Sequence, residues 1–383
     1  MKEFIRRIKM MIHTILLGSL YCLMYPKRRK DGRKWVVLVR CDHLGDLLCA
    51  VSVLRHFLNY YHRQGYAVAL VVNQPYRELA EKLLPFDRFI AIQPKKTAEL
   101  GYRARVMMEL YSIDIDILIS LVACNIAYFL EIFSFAKVKH LTYIKNEQEK
   151  LRRFGKYYDH WHERKCGICT QDQQEWLVRD ITGEYAEPEK LELRKFLTDL
   201  PPIPDRPERY YLVFPGASAL LKCWEPQKYA AVIDSVRKDF PEYTPVILGS
   251  ESDRALEETI LSELDDREGV LALCGKTDLK ALFAWVRDAE FVIGNDSGGV
   301  HLAAAWDVPS FSIIYGGDFG SFLPNPHYHL DHPFYHRLDC FVCVDNCPDP
   351  GAGSGRQACL KAVTPEEVFA GIKAFLTDRQ RRN

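Results

Sequence analysis

The chain has no net formal charge, because 51 Lys and Arg balance 51 Asp and Glu. A neutral chain exerts no global pull on nucleic acid, and that class of partner is set aside. No G-x-G-x-x-G run occurs at the first strand-to-helix turn, which removes the dinucleotide fingerprint there. The apolar run Met10–Tyr25 is 16 residues long and contains His13, short of the roughly 20 residues of a spanning helix. Pro26 and the basic Lys27–Lys30 follow it instead of a small-residue cleavage site, so a cleavable signal peptide is not expected. Twelve cysteines in 383 residues do not make the disulfide scaffold of a small secreted domain.

What is present is a folded composition, 48% apolar and 27% charged, in a chain long enough for two domains. The charge is uneven. Lys2, Arg6, Arg7, Lys9, Lys27, Arg28, Arg29, Lys30, Arg33 and Lys34 face only Glu3 and Asp31. Phe4, Ile5, Ile8, Met11, Ile12, Ile15, Leu16 and Ser19 recur at helical spacing among them. We read residues 1–34 as a basic, membrane-associating segment with an interfacial helix. A helix packed on the protein itself and a true span are the other two readings. The heavier basic flank on the C-terminal side would keep the body of the protein cytoplasmic, peripheral on an inner membrane face.

From Trp35 the chain alternates strand and helix. Trp35–Arg40, Ala67–Asn73, Phe89–Ile92 and Ile115–Leu121 read as buried strands, and Leu47–Tyr61 as a helix. Residues 141–190 are polar, basic and aromatic, with weak periodicity and no assigned role. Leu200–Arg209 is a Pro-rich linker candidate. Then the rhythm restarts, with strands at Tyr210–Gly216, 244–250, 270–275, 291–295 and 310–316. Helices are expected at Pro226–Asp239, Ser252–Leu264, Leu279–Arg287 and Val300–Trp306. The expectation is an α/β protein with two Rossmann-like doubly wound domains, residues 35–200 and 210–360, facing a central cleft. A closing helix over 364–383 starts at Pro365 with Thr364 as N-cap, with the option of packing back on the N-terminal domain.

Three strand-to-helix turns carry chemistry. Arg40–Arg55 has Gly45 in a tight turn and Asp46 at the helix start, where the helix dipole favours a carboxylate; an N-cap is the bland reading. Phe214–Ile233 places Ser218 and Lys222 after a Gly turn, a hydroxyl and an ammonium suited to a diphosphate, or else an ordinary surface loop. Gly294–Gly316 offers the backbone N–H groups of Ser297, Gly298 and Gly299 as an anion cradle at a helix N-terminus, with Asp296 and His301 able to hydrogen-bond hydroxyls or phosphate.

In this order and at these separations, the three motifs resemble the lipopolysaccharide heptosyltransferases, glycosyltransferase family 9. The resemblance runs from Val36 to Phe375. It implies a GT-B fold with an N-terminal acceptor domain and a C-terminal nucleotide-sugar domain. It also implies an inverting transfer of heptose from ADP-heptose to a lipid-linked lipopolysaccharide core, with no metal or other cofactor required for catalysis. Carried over by motif, Asp46 resembles the catalytic base, and Arg40, Asp42 and Gly45 lie on the acceptor side. Ser218 and Lys222 resemble diphosphate contacts, Asp296 the sugar-binding residue, and Ser297, Gly298, Gly299 and His301 the phosphate-side loop. Three features depart from the family pattern: the 34-residue extension, Cys223 in the second motif, and the central basic segment that should bear acceptor choice. Another nucleotide sugar, a protein acceptor, or an inactive sugar-nucleotide or membrane-binding module are the competing readings.

Two further clusters stand apart. Asp114 and Asp116 mimic a D-x-D metal motif but open an apolar strand, and we discount them. Cys340, Cys343, Cys347 and Cys359 read C-x2-C-x3-C-x11-C, a structural Zn or Fe site, buried thiols or disulfides. The family resemblance adds that related protein-heptosylating enzymes hold iron with such a set. Cys166 and Cys169, near His160 and His162, form a weaker pair.

Overall fold

The computed structural model describes residues 32–382 except 94–95, 97–98, 123–129, 133, 145–154, 186, 344–346 and 348–356. The expected interfacial helix lies outside the described residues. Among those described, no helix is long and apolar enough to cross a membrane.

The chain divides into two compact units. Unit 1 runs to Lys165 and includes Gln174–Pro188; unit 2 takes Cys166–Gln173 and everything from Glu189. The boundary thus falls before the expected linker at 200–209. Residues 189–197 already pack within unit 2: Lys190 pairs with Asp307 at 2.5 Å, and Arg194 lies 5.6 Å from the Trp306 ring.

Unit 1 holds strands β1 (Lys34–Arg40), β2 (Ala67–Asn73), β3 (Arg88–Ile92), β4 (Asp114–Ser120), β5 (Val138–Ile144) and β6 (His160–Arg164). They form one parallel sheet in the order β3-β2-β1-β4-β5-β6. Trp35–Val39 is fully buried, as a central parallel strand covered on both faces requires. Helix α1 (Leu44–Arg63) buries Leu47, Leu48, Val51, Leu54, Phe57 and Leu58. Helices α2 (Arg77–Leu83), α3 (Leu100–Tyr111) and α4 (Thr170–Thr182) follow, the last beginning in unit 2 and ending in unit 1. In unit 1, buried Glu175 of α4 binds α1 through Ser52 Oγ at 2.7 Å and His56 Nδ1 at 2.5 Å.

Asp116 of the discounted D-x-D pair is spent on structure, with Lys137 Nζ 2.5 Å from its carboxylate. The histidines expected beside Cys166 and Cys169 cluster with one another instead. His140 Nδ1 lies 3.1 Å from His162 Nε2, and the rings of His140 and His160 stack at 4.6 Å. Burial pushes His140 down to about 4, helped by His162 and His160 and opposed by Asp159. Burial lowers His162 too, against the pull of Asp180. Both groups therefore favour the neutral form in the fold, and the unfolded chain binds more protons below about pH 6.5. Their contribution is whole above that pH and is lost as pH falls through the folded values. Replacing His140 with Gln should flatten the loss of melting temperature between pH 6.5 and 4. Parallel wild-type and variant curves across that window would show that the cluster is not the cause.

Unit 2 holds β7 (Tyr210–Phe214), β8 (Thr244–Ile247), β9 (Leu271–Ala272), β10 (Val292–Asn295), β11 (Ser310–Ile313) and β12 (Asp331–Phe334), parallel in the order β12-β11-β10-β7-β8-β9. Its helices are α5 (Pro226–Asp239), α6 (Arg254–Glu263), α7 (Leu279–Arg287), α8 (Gly298–Ala305), α9 (Ala358–Lys361) and α10 (Pro365–Arg382). Thr364 caps α10, its hydroxyl taking the Glu367 N–H at 3.2 Å while Glu367 takes the Thr364 N–H at 3.3 Å. This helix packs inside unit 2. Val368, Ile372 and Leu376 bury into the same core as Val232, Ile233 and Val236 of α5, and Lys373 meets Asp239 at 2.7 Å. Burying that apolar stripe within unit 2 is what fixes the helix there.

Candidate active site

The first motif builds a charged turn where β1 meets α1. Arg40, 1% exposed, donates from Nη1 to the Leu121 carbonyl at 2.7 Å and from Nε to the Asp46 carbonyl at 3.2 Å. Its guanidinium lies 3.1 Å from the Asp42 carboxylate and 3.2 Å from that of Asp46. Burial works against its charge, but Asp42 and Asp46 outweigh it and hold the group more firmly protonated. Asp46 sits in the first turn of α1, where the free N–H groups and the dipole favour an anion. Its side chain is 22% exposed. Gly45 is buried in the same turn.

Two residues that sequence reasoning passed over complete this turn. Asn73, ending β2, donates to the Asp42 carbonyl at 3.1 Å. Tyr76 brings its hydroxyl to the Leu44 N–H beside Asp46 and Asp42. Burial raises its phenol, the N–H opposes this, and the two carboxylates add to it. Neither follows a periodic signal; only pairing of β2 with β1 brings them here.

The second and third motifs meet in unit 2. Asn295, wholly buried at the end of β10, accepts the Trp224 N–H at 2.9 Å and donates to the Pro215 carbonyl at 2.7 Å. It fastens the turn after β7 to the turn after β10, which places Lys222 near Asp296. Asn295 was not singled out from the sequence, although it stands one residue before Asp296. Lys222 is 14% exposed and ion-paired with Asp318 from the turn after β11. Ser218, by contrast, is exposed.

Asp296 is 7% exposed, and its Oδ2 has no hydrogen-bond partner among the described residues. Burial raises its carboxyl, while Lys222 and His301 pull it down and Asp318 and Asp331 push it up. His301 lies 3.8 Å from Asp296 and makes a 2.9 Å contact to the Tyr328 hydroxyl through Nδ1. Ser297 caps α8 in an extended conformation, leaving the first amides of the helix directed out of its N-terminus. Gly299 is required by packing, since a Cβ there would stand 2.5 Å from the Phe214 ring. An orphan carboxylate oxygen, a cation and an amide-lined helix start thus occupy one corner of unit 2. In chemistry, such a set is suited to a ligand carrying both hydroxyls and negative charge.

The other sequence candidates lie nearby. Cys340, Cys343 and Cys347 are half-buried and Cys359 is buried. Cys343 Sγ stands 3.8 Å from the Tyr315 hydroxyl, and Cys359 backs the Gly316 turn that leads to Asp318. Among the described residues, no three of these thiols bring their sulfurs within 4.8 Å of one another.

Two parallel six-stranded α/β units give the chain the GT-B fold. Residues 173–324 match the model of glycosyltransferase family 9 (heptosyltransferase), so over this stretch the chain is heptosyltransferase-like. It is 30% identical to lipopolysaccharide heptosyltransferase 3 of Escherichia coli over 111 residues, 29% of this chain and 32% of that protein. The chain thus spans about a third of this curated relative's length in the match. The structure of the E. coli ADP-heptose lipopolysaccharide heptosyltransferase II is similar with a TM-score of 0.65 at 18% identity, covering 91% of this chain and 99% of that one. The dodecameric iron-containing heptosyltransferase TibC, in complex with ADP-D-beta-D-heptose, has a TM-score of 0.52 at 14% identity, covering 92% and 78%.

Proposed function

We propose that the chain is an inverting glycosyltransferase that moves a heptose from ADP-heptose to a lipid-linked lipopolysaccharide-core acceptor. The observation that carries this reading is the buried, unpartnered Asp296 Oδ2 beside Lys222 and the amides opening α8. Its chemistry is that of a sugar hydroxyl acceptor next to a diphosphate site. The names of the relatives supply the particular sugar and acceptor. Asp296 takes the donor sugar's hydroxyls. Lys222 exchanges Asp318 for the diphosphate, with Ser218 and the Ser297–Gly299 amides on the same group and His301 orienting it. As the glycosidic bond to phosphate breaks, the charge growing on the leaving diphosphate is met by donors already in place, which is where preorganisation contributes most. Asp46 removes the acceptor hydroxyl's proton as its oxygen attacks the anomeric carbon, and Arg40, Asp42 and Gly45 hold that carboxylate at the turn.

A thermal-shift screen of nucleotide sugars tests the donor assignment. ADP-heptose at 100-fold above its dissociation constant should stabilise the protein by roughly 2.7 kcal/mol. A larger shift with a different nucleotide sugar would transfer the reading to that donor.

Catalysis in this scheme needs no metal. The four cysteines are instead a candidate structural Zn or Fe site. Four thiols are the right donor chemistry, and Cys343 and Cys359 each lie within electrostatic reach of Cys340 and Cys347. A bound ion there would tie the segment to the Tyr315–Gly316 turn.

The basic N-terminal segment is proposed to hold the enzyme peripherally at the cytoplasmic face of the inner membrane, where such an acceptor lies. Each basic residue near an anionic surface adds about 1 kcal/mol, beside the burial of the apolar stripe. Deleting residues 1–33 leaves β1 intact, since β1 begins at Lys34. The truncated protein should move to the soluble fraction with turnover on a detergent-dispersed acceptor preserved. A truncated protein that still pellets with membranes, or that misfolds, would count against this role.

A further inference from the structure

Outside the donor corner, one cluster of metal-ligating side chains is assembled from two distant stretches of unit 2. Cys169, Asp172 and His327 bring one ligand atom each to within 4.8 Å of one another. Cys169 and Asp172 stand three residues apart at the start of α4, the spacing that puts two side chains on one helix face. His327 arrives from the loop between β11 and β12. Its Nε2 lies 2.8 Å from Asp172 Oδ1.

The surroundings hold these three side chains rigidly. Asn325 Oδ1 accepts the His327 N–H at 2.9 Å and stands 3.8 Å from Cys169 Sγ. Asn325 Nδ2 donates to Gln171 Oε1 at 2.7 Å, and both amides are buried. The Thr170 N–H donates to the Ser321 carbonyl at 2.7 Å, and the Gly167 N–H to Ser321 Oγ at 3.3 Å. Backbone and side chain thus lock residues 167–173 against residues 321–327 before any ligand is considered. Outer partners of this kind orient metal ligands, and losing them typically weakens a site 10–100-fold.

We propose that Cys169, Asp172 and His327 form a binding site for one divalent cation of the Zn²⁺ class. The site is separate from the donor corner and from the four C-terminal cysteines. A thiolate, an imidazole and a carboxylate are a borderline-soft set that suits Zn²⁺ and disfavours Mg²⁺ or Ca²⁺, which take oxygen ligands. Three protein ligands leave a fourth tetrahedral position for water. Binding replaces the His327–Asp172 hydrogen bond with two bonds to the ion and releases the thiol proton to solvent. The ion would clamp residues 169–172 to residue 327.

Cobalt(II) reports the site, because a thiolate bound to it gives a near-ultraviolet charge-transfer band. The full-length chain with Cys340, Cys343, Cys347 and Cys359 replaced by Ser should bind one equivalent of Co²⁺ with that band, displaced by Zn²⁺. Adding Cys169→Ser should abolish the band, and adding His327→Ala should weaken binding at least 10-fold. Because the quadruple variant must fold for this reading, a second measurement uses the otherwise unaltered chain. There His327→Ala should lower the bound Co²⁺ by one equivalent. The proposal is overturned if Co²⁺ uptake and its band are the same with and without Cys169→Ser and His327→Ala. The three residues would then be a hydrogen-bonded pin and nothing more.

Discussion

Asp46→Asn should reduce the transfer rate by about 10²–10⁴-fold, the usual contribution of a general base, while ADP-heptose binding stays near wild type. The replacement is isosteric. Arg40 keeps its hydrogen bonds to the Asp46 and Leu121 carbonyls, so the turn keeps its shape. What disappears is the ability to take a proton. Donor affinity should persist because the proposed donor contacts all belong to unit 2. Asp42→Asn is the control. Its carboxylate also flanks Arg40, at 3.1 Å, and its loss should affect stability more than turnover. Steady-state kinetics alongside donor titration decide the matter. A variant keeping more than about a tenth of wild-type kcat would show that Asp46 is not the base, and an effect confined to Asp42→Asn would move the role there.

Lys222→Ala should weaken binding of free ADP roughly 10–100-fold, the range of a charge-assisted hydrogen bond at 1.5–3 kcal/mol. The cation is largely buried and faces two acidic groups. Without it, Asp318 loses its ion pair and the raised carboxyl of Asp296 loses the cation that draws it down. The incoming diphosphate would then meet carboxylates with no compensating charge. Asp296→Ala should leave ADP binding nearly unchanged and weaken the intact sugar nucleotide, because its orphan oxygen is assigned to the sugar. Isothermal titration with ADP and with the sugar nucleotide separates the two. Equal losses of ADP affinity in both variants would sink this division of labour.

Much of this protein is written in local pattern. Trp35–Arg40 and Ala67–Asn73 are continuous apolar runs of strand length; the second is a strand at those bounds, and the first begins one residue earlier, at Lys34. Pro226–Asp239 opens with Pro and keeps one apolar stripe, and the helix spans those residues. Thr364-Pro365 announced α10, and its capping contacts are there. These features are legible because hydrophobic period, turn residues and caps act within one turn or one strand. The three motif turns were legible for the same reason, since Gly and Asp mark tight strand-to-helix connections.

Other elements had no such signal. Strand β12 reads Asp-His-Pro-Phe, which no propensity favours. It exists because β11 supplies the ladder, and because Ser310 and Ser312 each donate to half-buried Asp331 at 2.7 Å. Asn295, Tyr76 and His327 were not singled out from the sequence. Each gains its meaning from partners dozens of residues away: Trp224, Leu44 and Asp172. The sequence by itself determined the two-sheet α/β plan, the motif turns and the ends of several helices, since those are matters of neighbouring residues. Only the tertiary structure decided which polar atoms are satisfied and which are left over. Asp296 Oδ2 is among those left over, because burial has removed its water while no described donor replaces it, and burial is a property of the whole packed unit.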